Sequence, residues 1–583
     1  MLDVIDRKGQ RPAMNFEVDA LEVTGPEGKP KTSYTLSAQA LAGGDKRLVW
    51  NRIRADNGKL HQFLRHWIYE DHSLWDLAKR ACWWGLGVLL AGLPAAIPLE
   101  RKRSLLLRQG RRERGPEMVT REKFNRERKE EGIGFVTNEE QSLRERLFVR
   151  YRYAPMVMIP KRDVSNHFLL LGDSGTGKSA LIRQMLTQIR DSGETAIVYD
   201  PALEYTPQFY APERGDIILN PLDERTPYWS LGDEVRHHAE AMTLAASLFP
   251  ERGEENRFFV DSPRKIFAHL LTHRPTPQEL TRWMCQPEEI DKRVAGTELA
   301  SLIDARAPAQ RSGVIGSLSL VADAFRLLPE EKQGRMKWSA AEWSKERKGW
   351  LFLTSRPEMR ERLRPLISLW LDLLVLRLMN QAGDRQGSPV WFVLDELASL
   401  QKLPQLHTAL TENRKSNNPV VLGLQGRSQL EVRYGHEAEA MLSQPATKIF
   451  LKTSEPRATK WISDTIGEVK IKILRESRTT GLNNKASKSY ALETKVEPLI
   501  MASEIADLAK LTGYLKSGNH VVPMSFPYIE LPKRQPGFIE RELAGLYAPL
   551  PVAQAAAAGD VGGPARRLTP KPVRQEQKQH FFE

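Results

Sequence analysis

The 583-residue sequence predicts an α/β protein: a nucleotide-binding core with a mostly parallel sheet, an inserted all-α domain, and an apolar anchor segment ahead of both. Three observations carry that expectation. A glycine-rich phosphate-binding pattern lies between an apolar strand and a helix. Short apolar runs alternate with helical stretches on both sides of a long gap, as in a parallel sheet covered by helices. Within the gap, residues 225–345, helical spacing replaces the strand signals.

The formal net charge of +13 points to a polyanion or an anionic membrane surface as partner. Only two cysteines are present, Cys82 and Cys285, far apart in the chain. That argues against a disulfide framework or a cysteine zinc site and fits a reducing compartment.

Residues 1–80 are mixed. Gly25-Pro26-Glu27-Gly28 reads as a turn, residues 60–79 mingle aromatics and leucines with charges, and no secretory signal pattern opens the chain. Residues 81–99, ACWWGLGVLLAGLPAAIPL, are the long uncharged run and are expected to span a membrane, which takes about 20 helical residues. Trp83 and Trp84 suit one interface. Arg101, Lys102, Arg103, Arg108, Arg111 and Arg112 mark the other end as cytoplasmic. Pro94, Pro98 and three glycines weaken the span, and a buried core helix is the competing reading. Residues 100–140 are highly charged and are expected to be a linker or exposed helix.

The first part of the nucleotide domain is expected at 141–224. Phe168 to Leu171 is a buried-strand run that breaks into Gly172-Asp173-Ser174-Gly175-Thr176-Gly177-Lys178-Ser179, and a helix follows. This satisfies G-x-x-x-x-G-K-[ST] in the context that confirms a P-loop. Its glycines let backbone N–H groups turn toward a phosphate chain at a helix N-terminus. Lys178 would reach the β/γ-phosphates of ATP and Ser179 would ligate Mg²⁺. The spacing does not match the dinucleotide pattern, which disfavours NAD. Thr195–Tyr199, ending at Asp200-Pro201, and Asp216–Leu219 are further strands.

In the insertion, Ala239, Met242, Ala246 and Phe249 are expected on one helix face, and Leu299, Leu302 and Ile303 on another. The second part of the core, 346–535, alternates strands near 350–353, 390–394, 420–424 and 449–452 with helices. Residues 536–583 read as a disordered tail. His237-His238 is set aside as a metal site, because adjacent helical residues point apart. Arg356, Arg360, Arg362 and Arg364 are either a solvated loop or contacts to a DNA backbone.

Trp391-Phe392-Val393-Leu394-Asp395-Glu396 is an apolar strand ending in two acids. Downstream of a P-loop, Asp395 would hold the Mg²⁺ shell and Glu396 would activate water. Gln425 ends the next strand and is a candidate γ-phosphate sensor. Arg414, just before that strand, would reach a neighbouring subunit's phosphate or be simply a solvated helix end.

From about Asn166 to Tyr528 the chain resembles the type IV secretion coupling proteins of bacterial conjugation, the TraD/TrwB type. The resemblance rests on NHFLLLGDSGTGKS, AIVYDPALEYTPQFY, DIILNPLDERTPYW, RFFVDSPRKIF, WFVLDELASL and VLGLQGRSQL. It implies a RecA-like, membrane-anchored homo-hexameric ATPase of the bacterial inner membrane with its motor in the cytoplasm. Implied partners are single-stranded DNA bound without regard to sequence, a relaxase or other secretion substrates, and secretion channel proteins. By position, Gln425 matches the family's glutamine and Arg414 its trans-acting arginine. Two departures stand out. The family usually has two membrane helices, and it often reads D-P-x-G where this chain has Asp200-Pro201-Ala202-Leu203. The function expected is an ATP-dependent DNA translocase acting as a coupling protein. The alternatives are a cytosolic HerA/FtsK-like DNA motor and a nucleotide-gated docking receptor for protein effectors.

Overall fold

The computed structural model describes residues 14–24, 30–41, 48–54, 74–109, 111–128, 132–138, 155–250, 257–331, 334–379, 388–412, 417–481 and 484–543. They fall into two compact units, residues 114–470 with 496–583, and residues 1–113 with 471–495.

The larger unit is built on a ten-stranded sheet. Seven parallel strands form most of it: Phe168–Leu171 (β1), Thr195–Asp200 (β2), Ile217–Leu219 (β3), Leu351–Thr354 (β4), Val390–Leu394 (β5), Val420–Leu424 (β6) and Thr447–Leu451 (β7). Their order is β3-β4-β2-β5-β6-β1-β7. Thr512–Ser517 (β8) and His520–Ser525 (β9) add antiparallel strands, and Glu117–Met118 pairs at the edge.

Every residue of the seven parallel strands is buried. Such strands are covered on both faces, so their sequences read as unbroken apolar runs. Successive side chains still point to opposite faces. Leu169 and Leu171 join one core, while Phe168 and Leu170 join the other. β8 instead alternates half-buried and buried residues, as an antiparallel strand with one wetter face does.

The crossover helices Lys178–Asp191 (α1), Arg360–Met379, Pro404–Glu412 and Pro456–Ile466 fall where the sequence expects helices. Between β3 and β4 the chain runs through helices, including His238–Leu248, Arg257–Leu271, Pro277–Cys285 and Pro308–Phe325. This is the inserted all-α domain. Thr276 and Glu279 close a capping box that starts the third of these helices.

Of the face expected on helix His238–Leu248, Phe249 and Met242 do pack in or against the core, but Ala239 does not. Ala239 is exposed, and the buried stripe is Ala241, Leu244, Ala245 and Leu248. That stripe also carries Glu240 and Ser247, which bond Arg377 and Asp372 of helix Arg360–Met379. A search for apolar spacing passes over a face whose anchors are polar.

The charged stretch expected as a linker is structured over much of its length. Phe124 is buried in helix Arg121–Glu127, and Gly132–Val136 pairs with Met156–Pro160. The N–H groups of Gly134 and Val136 donate to Gln188 and Gln184 of α1. Residues 539 and 541, expected in the disordered tail, are held by hydrogen bonds. Ile539 N–H donates to Asp223, Arg541 N–H to the Leu222 carbonyl, and the Arg541 side chain to the Leu327 carbonyl. Residues 544–583 lie outside the described residues.

In the smaller unit, Met14–Thr24, Pro30–Leu41 and Leu48–Arg54 form an antiparallel sheet, which the sequence reading left unassigned. Arg111–Arg114 and the strands Glu468–Gly481 and Asn484–Pro498 form another. The turn expected at Gly25–Gly28 lies outside the described residues. Residues 81–99 sit inside the 36-residue helix Leu74–Gln109. Among the described residues, no helix is long and apolar enough to cross a membrane. Trp83, Trp84, Val88, Leu89, Leu90 and Leu99 are each more than half exposed.

Candidate active site

Because β1, β2, β5 and β6 are parallel, their C-terminal ends bring Gly172, Asp200, Asp395 and Gln425 to one edge of the sheet. Open α/β sheets bind ligands at this edge.

The loop from Gly172 to Ser179 leads straight into α1. Gly177 has φ +121°, and a Cβ there would come within 2.8 Å of the Phe526 ring and 2.9 Å of Leu511. Glycine is therefore required both for backbone and for space. Lys178 is 7% exposed, and its ammonium donates to the carbonyls of Gly172 (2.5 Å) and Asp173 (3.1 Å). Ser174 and Gly175 form the exposed tip, while Thr176 donates to the Asp173 carbonyl at 2.7 Å. The Asp173 carboxylate accepts from Thr453 Oγ1, Ser454 N and Ser454 Oγ at 2.8–3.0 Å. Those bonds tie the loop to the end of β7. The Leu511 N–H donates to the Thr176 carbonyl at 3.0 Å, closing the loop from the other side.

Asp395 and Glu396 follow β5. Gly423 of β6 lies against them, and an added Cβ would meet Asp395 Oδ1 at 2.9 Å. Glu396 has φ +65°, a left-handed conformation unusual for a non-glycine residue. Strain of this kind collects at functional sites. The Gln425 amide donates to the Glu396 carboxylate. Thus the sequence-singled Lys178, Ser179, Asp395, Glu396 and Gln425 meet at one place. Arg414 lies outside the described residues.

The sequence singled out the departure at Asp200-Pro201-Ala202-Leu203 but gave no role to the turn after β2. The fully buried Asp200 carboxylate accepts from the N–H groups of Glu204, Tyr205 and Thr206 and from Thr206 Oγ1, at 2.7–2.9 Å. Leu203 has φ +57°, in the position where D-P-x-G carries glycine. The tight turn therefore persists without its glycine. It delivers Tyr205, whose hydroxyl donates to Asp395 Oδ2 at 2.7 Å. The one available signal was the Asp-Pro dipeptide at a strand end. Arg360 donates to the Pro201 carbonyl at 2.7 Å and lowers the pKa of Glu396, whereas Arg356 and Arg364 pair with Glu358 and Glu361. His237 caps its helix, Nδ1 accepting from Glu240 N–H.

Burial sets the site's protonation tendencies. It raises Asp395 to about 6, against the lowering effect of the Tyr205 hydrogen bond and Lys178. It raises Glu396 also, opposed by Lys178, Gln425 and Arg360. Burial lowers Lys178, and the Asp395 and Glu396 charges oppose it. The oxygen donors of Ser179 and Asp395 suit a hard cation such as Mg²⁺, which commonly keeps few protein ligands and shares the rest with phosphates and water.

Fold and site together define a P-loop nucleotide-binding protein with a helical insertion. The sequence profile of the type IV secretion-system coupling protein DNA-binding domain matches residues 151–530, and the chain belongs to that family. It is 28% identical over 408 residues to the coupling protein TraD of Escherichia coli (strain K12), covering 67% of this chain and 56% of TraD. The chain thus spans a little over half of that relative's length. A shorter match, 28% over 134 residues, joins it to the conjugal transfer protein TraG of Rhizobium radiobacter, covering 23% of this chain and 21% of TraG. Among solved structures, the unbound conjugative coupling protein TrwBdeltaN70 is 27% identical, with TM-score 0.63 over 74% of this chain and 97% of that one. A TrwB structure with ADP and Mg²⁺ is 26% identical with TM-score 0.62, covering 74% of this chain and 97% of that chain.

Proposed function

We propose that this chain is an ATP-hydrolysing DNA motor that brings DNA or nucleoprotein to a membrane secretion channel in bacterial conjugation. The observation that carries the proposal is the convergence of the P-loop, the Asp395-Glu396 pair and Gln425 at one sheet edge, in a member of a coupling-protein DNA-binding family. TrwB binding of ADP with Mg²⁺ supports ATP and Mg²⁺ as the ligands here.

Each residue has a role that its surroundings favour. Lys178 holds the β/γ-phosphates, and the backbone N–H groups of residues 172–179 orient the chain of phosphates. Ser179 and Asp395 would hold Mg²⁺, which would supply charge neutralisation at the phosphate oxygens. Glu396 accepts the proton of the attacking water, and burial raises its basicity toward the working pH. Gln425 fixes the Glu396 carboxylate by hydrogen bonding and is placed to respond when the γ-phosphate leaves. Arg414 completes a neighbouring subunit's site in a homo-hexamer.

The basic chain engages single-stranded DNA through its phosphates, without regard to sequence. A relaxase and channel proteins are the further partners of this reading. The exposed apolar side chains of helix Leu74–Gln109, followed by an arginine cluster, favour attachment to the inner membrane with the ATPase on the cytoplasmic side. The test is ATP hydrolysis by the full chain at low and high salt, with and without single-stranded DNA. DNA should stimulate hydrolysis at low salt and lose that effect at high salt. Hydrolysis indifferent to DNA at every salt concentration would refute the motor.

A further inference from the structure

We propose that Tyr205 is a positioning residue for the magnesium site, its buried hydroxyl holding the Asp395 carboxylate in its metal-binding orientation. The inference rests on the nucleotide reading above and extends it to a residue that the P-loop motifs do not contain.

The hydroxyl donates to Asp395 Oδ2 at 2.7 Å, joining two residues 190 positions apart in the sequence. A carboxylate free to rotate would present either oxygen to a cation. The hydrogen bond from Tyr205 fixes Oδ2 and leaves Oδ1 for the cation.

The tyrosine is itself held. Its ring is fully buried in one of the two apolar cores, and its backbone N–H donates to Asp200 at 2.9 Å. The turn that delivers it contains Leu203 in the left-handed region, a conformation unfavourable for an ordinary residue. Such strain persists where the surroundings over-determine it, and the Asp200 bonds do so here. Packing alone does not call for the hydroxyl. Phenylalanine would fill the same apolar volume without the cost of burying an oxygen. What tyrosine adds is the bond to the Asp395 carboxylate, and outer-shell partners of that kind typically contribute about 10–100-fold in metal affinity.

The test is Tyr205→Phe in the full chain, with binding of a fluorescent ADP analogue followed in EDTA and through a Mg²⁺ titration. Affinity in EDTA should match the parent, because the P-loop contacts are intact. The Mg²⁺ concentration giving half-maximal enhancement should rise about tenfold or more, with a melting temperature close to the parent's. An unchanged Mg²⁺ midpoint overturns the proposal. Equal losses in EDTA and in Mg²⁺ also overturn it, since they mark a packing role. If the parent chain binds the analogue in EDTA but shows no Mg²⁺ enhancement, the positioning role falls and the nucleotide site stands. If the parent chain binds no nucleotide under either condition, the nucleotide reading fails and this inference with it.

Discussion

Gly423→Ala is the smallest change that should disable the site without touching a catalytic group. Gly423 is buried in β6, beside the end of β5. An added Cβ would lie 2.9 Å from Asp395 Oδ1, 3.2 Å from Asp395 Cα and 3.4 Å from Glu396 N. Comfortable carbon contacts begin at about 3.5 Å, so the tightest falls short by roughly 0.6 Å. Two of the three atoms are backbone and cannot swing aside. The acids must therefore move, or the sheet must spread, at a cost of about 1–3 kcal/mol for an overpacked core. A displacement approaching 1 Å in a catalytic constellation costs on the order of 10²-fold in rate. The expected result is a kcat roughly 10–100-fold below the parent, with nucleotide affinity in EDTA within about threefold, because no P-loop contact is changed. Steady-state phosphate release and equilibrium nucleotide binding on the same preparation give the two numbers. A normal kcat with a normal melting temperature would show that Gly423 is not what positions Asp395 and Glu396.

Two further outcomes are expected. Burial raises the Asp372 carboxyl to about 7, so the folded state holds its proton more tightly than the unfolded chain. The stability from this source is complete at low pH and is lost as pH rises from about 4 through 7. Asp372→Asn keeps an acceptor for the Gln405 N–H and should melt higher than the parent at pH 8, with the gap narrowing toward pH 5; parallel melting curves against pH would contradict this. Arg414→Ala should bind ATP yet hydrolyse it about 10³-fold or more slowly, the scale of known arginine fingers. Mixing it with Lys178→Ala should restore activity by pairing an intact P-loop with an intact arginine, and full activity of Arg414→Ala alone would remove the trans role.

The core was legible because parallel strands buried on both faces must be apolar throughout. Phe168–Leu171 and Val390–Leu394 show this, each followed at once by its polar functional residues. Local geometry did the rest, since the P-loop is contiguous in sequence. What escaped is what long-range packing decides. Tyr205 meets Asp395 across 190 positions, and nothing in its own neighbourhood announces that contact. Glu240 and Ser247 form part of a buried helix face because Arg377 and Asp372 answer them from another helix. Phe124 and Phe135 were masked by the charges around them, so their stretch read as a linker. Leu203 keeps a turn that its side chain disfavours, because Asp200 supplies the bonds that enforce it.

The central claim is that residues 172–179 bind ATP and Glu396 turns it over. The direct measurement is ATP binding and hydrolysis by the parent, Lys178→Ala and Glu396→Gln chains side by side. The account predicts that Lys178→Ala loses hydrolysis with weakened binding, while Glu396→Gln binds ATP as the parent does and hydrolyses it at least about 10²-fold more slowly, the scale of a lost general base. Parental turnover in either variant would contradict it.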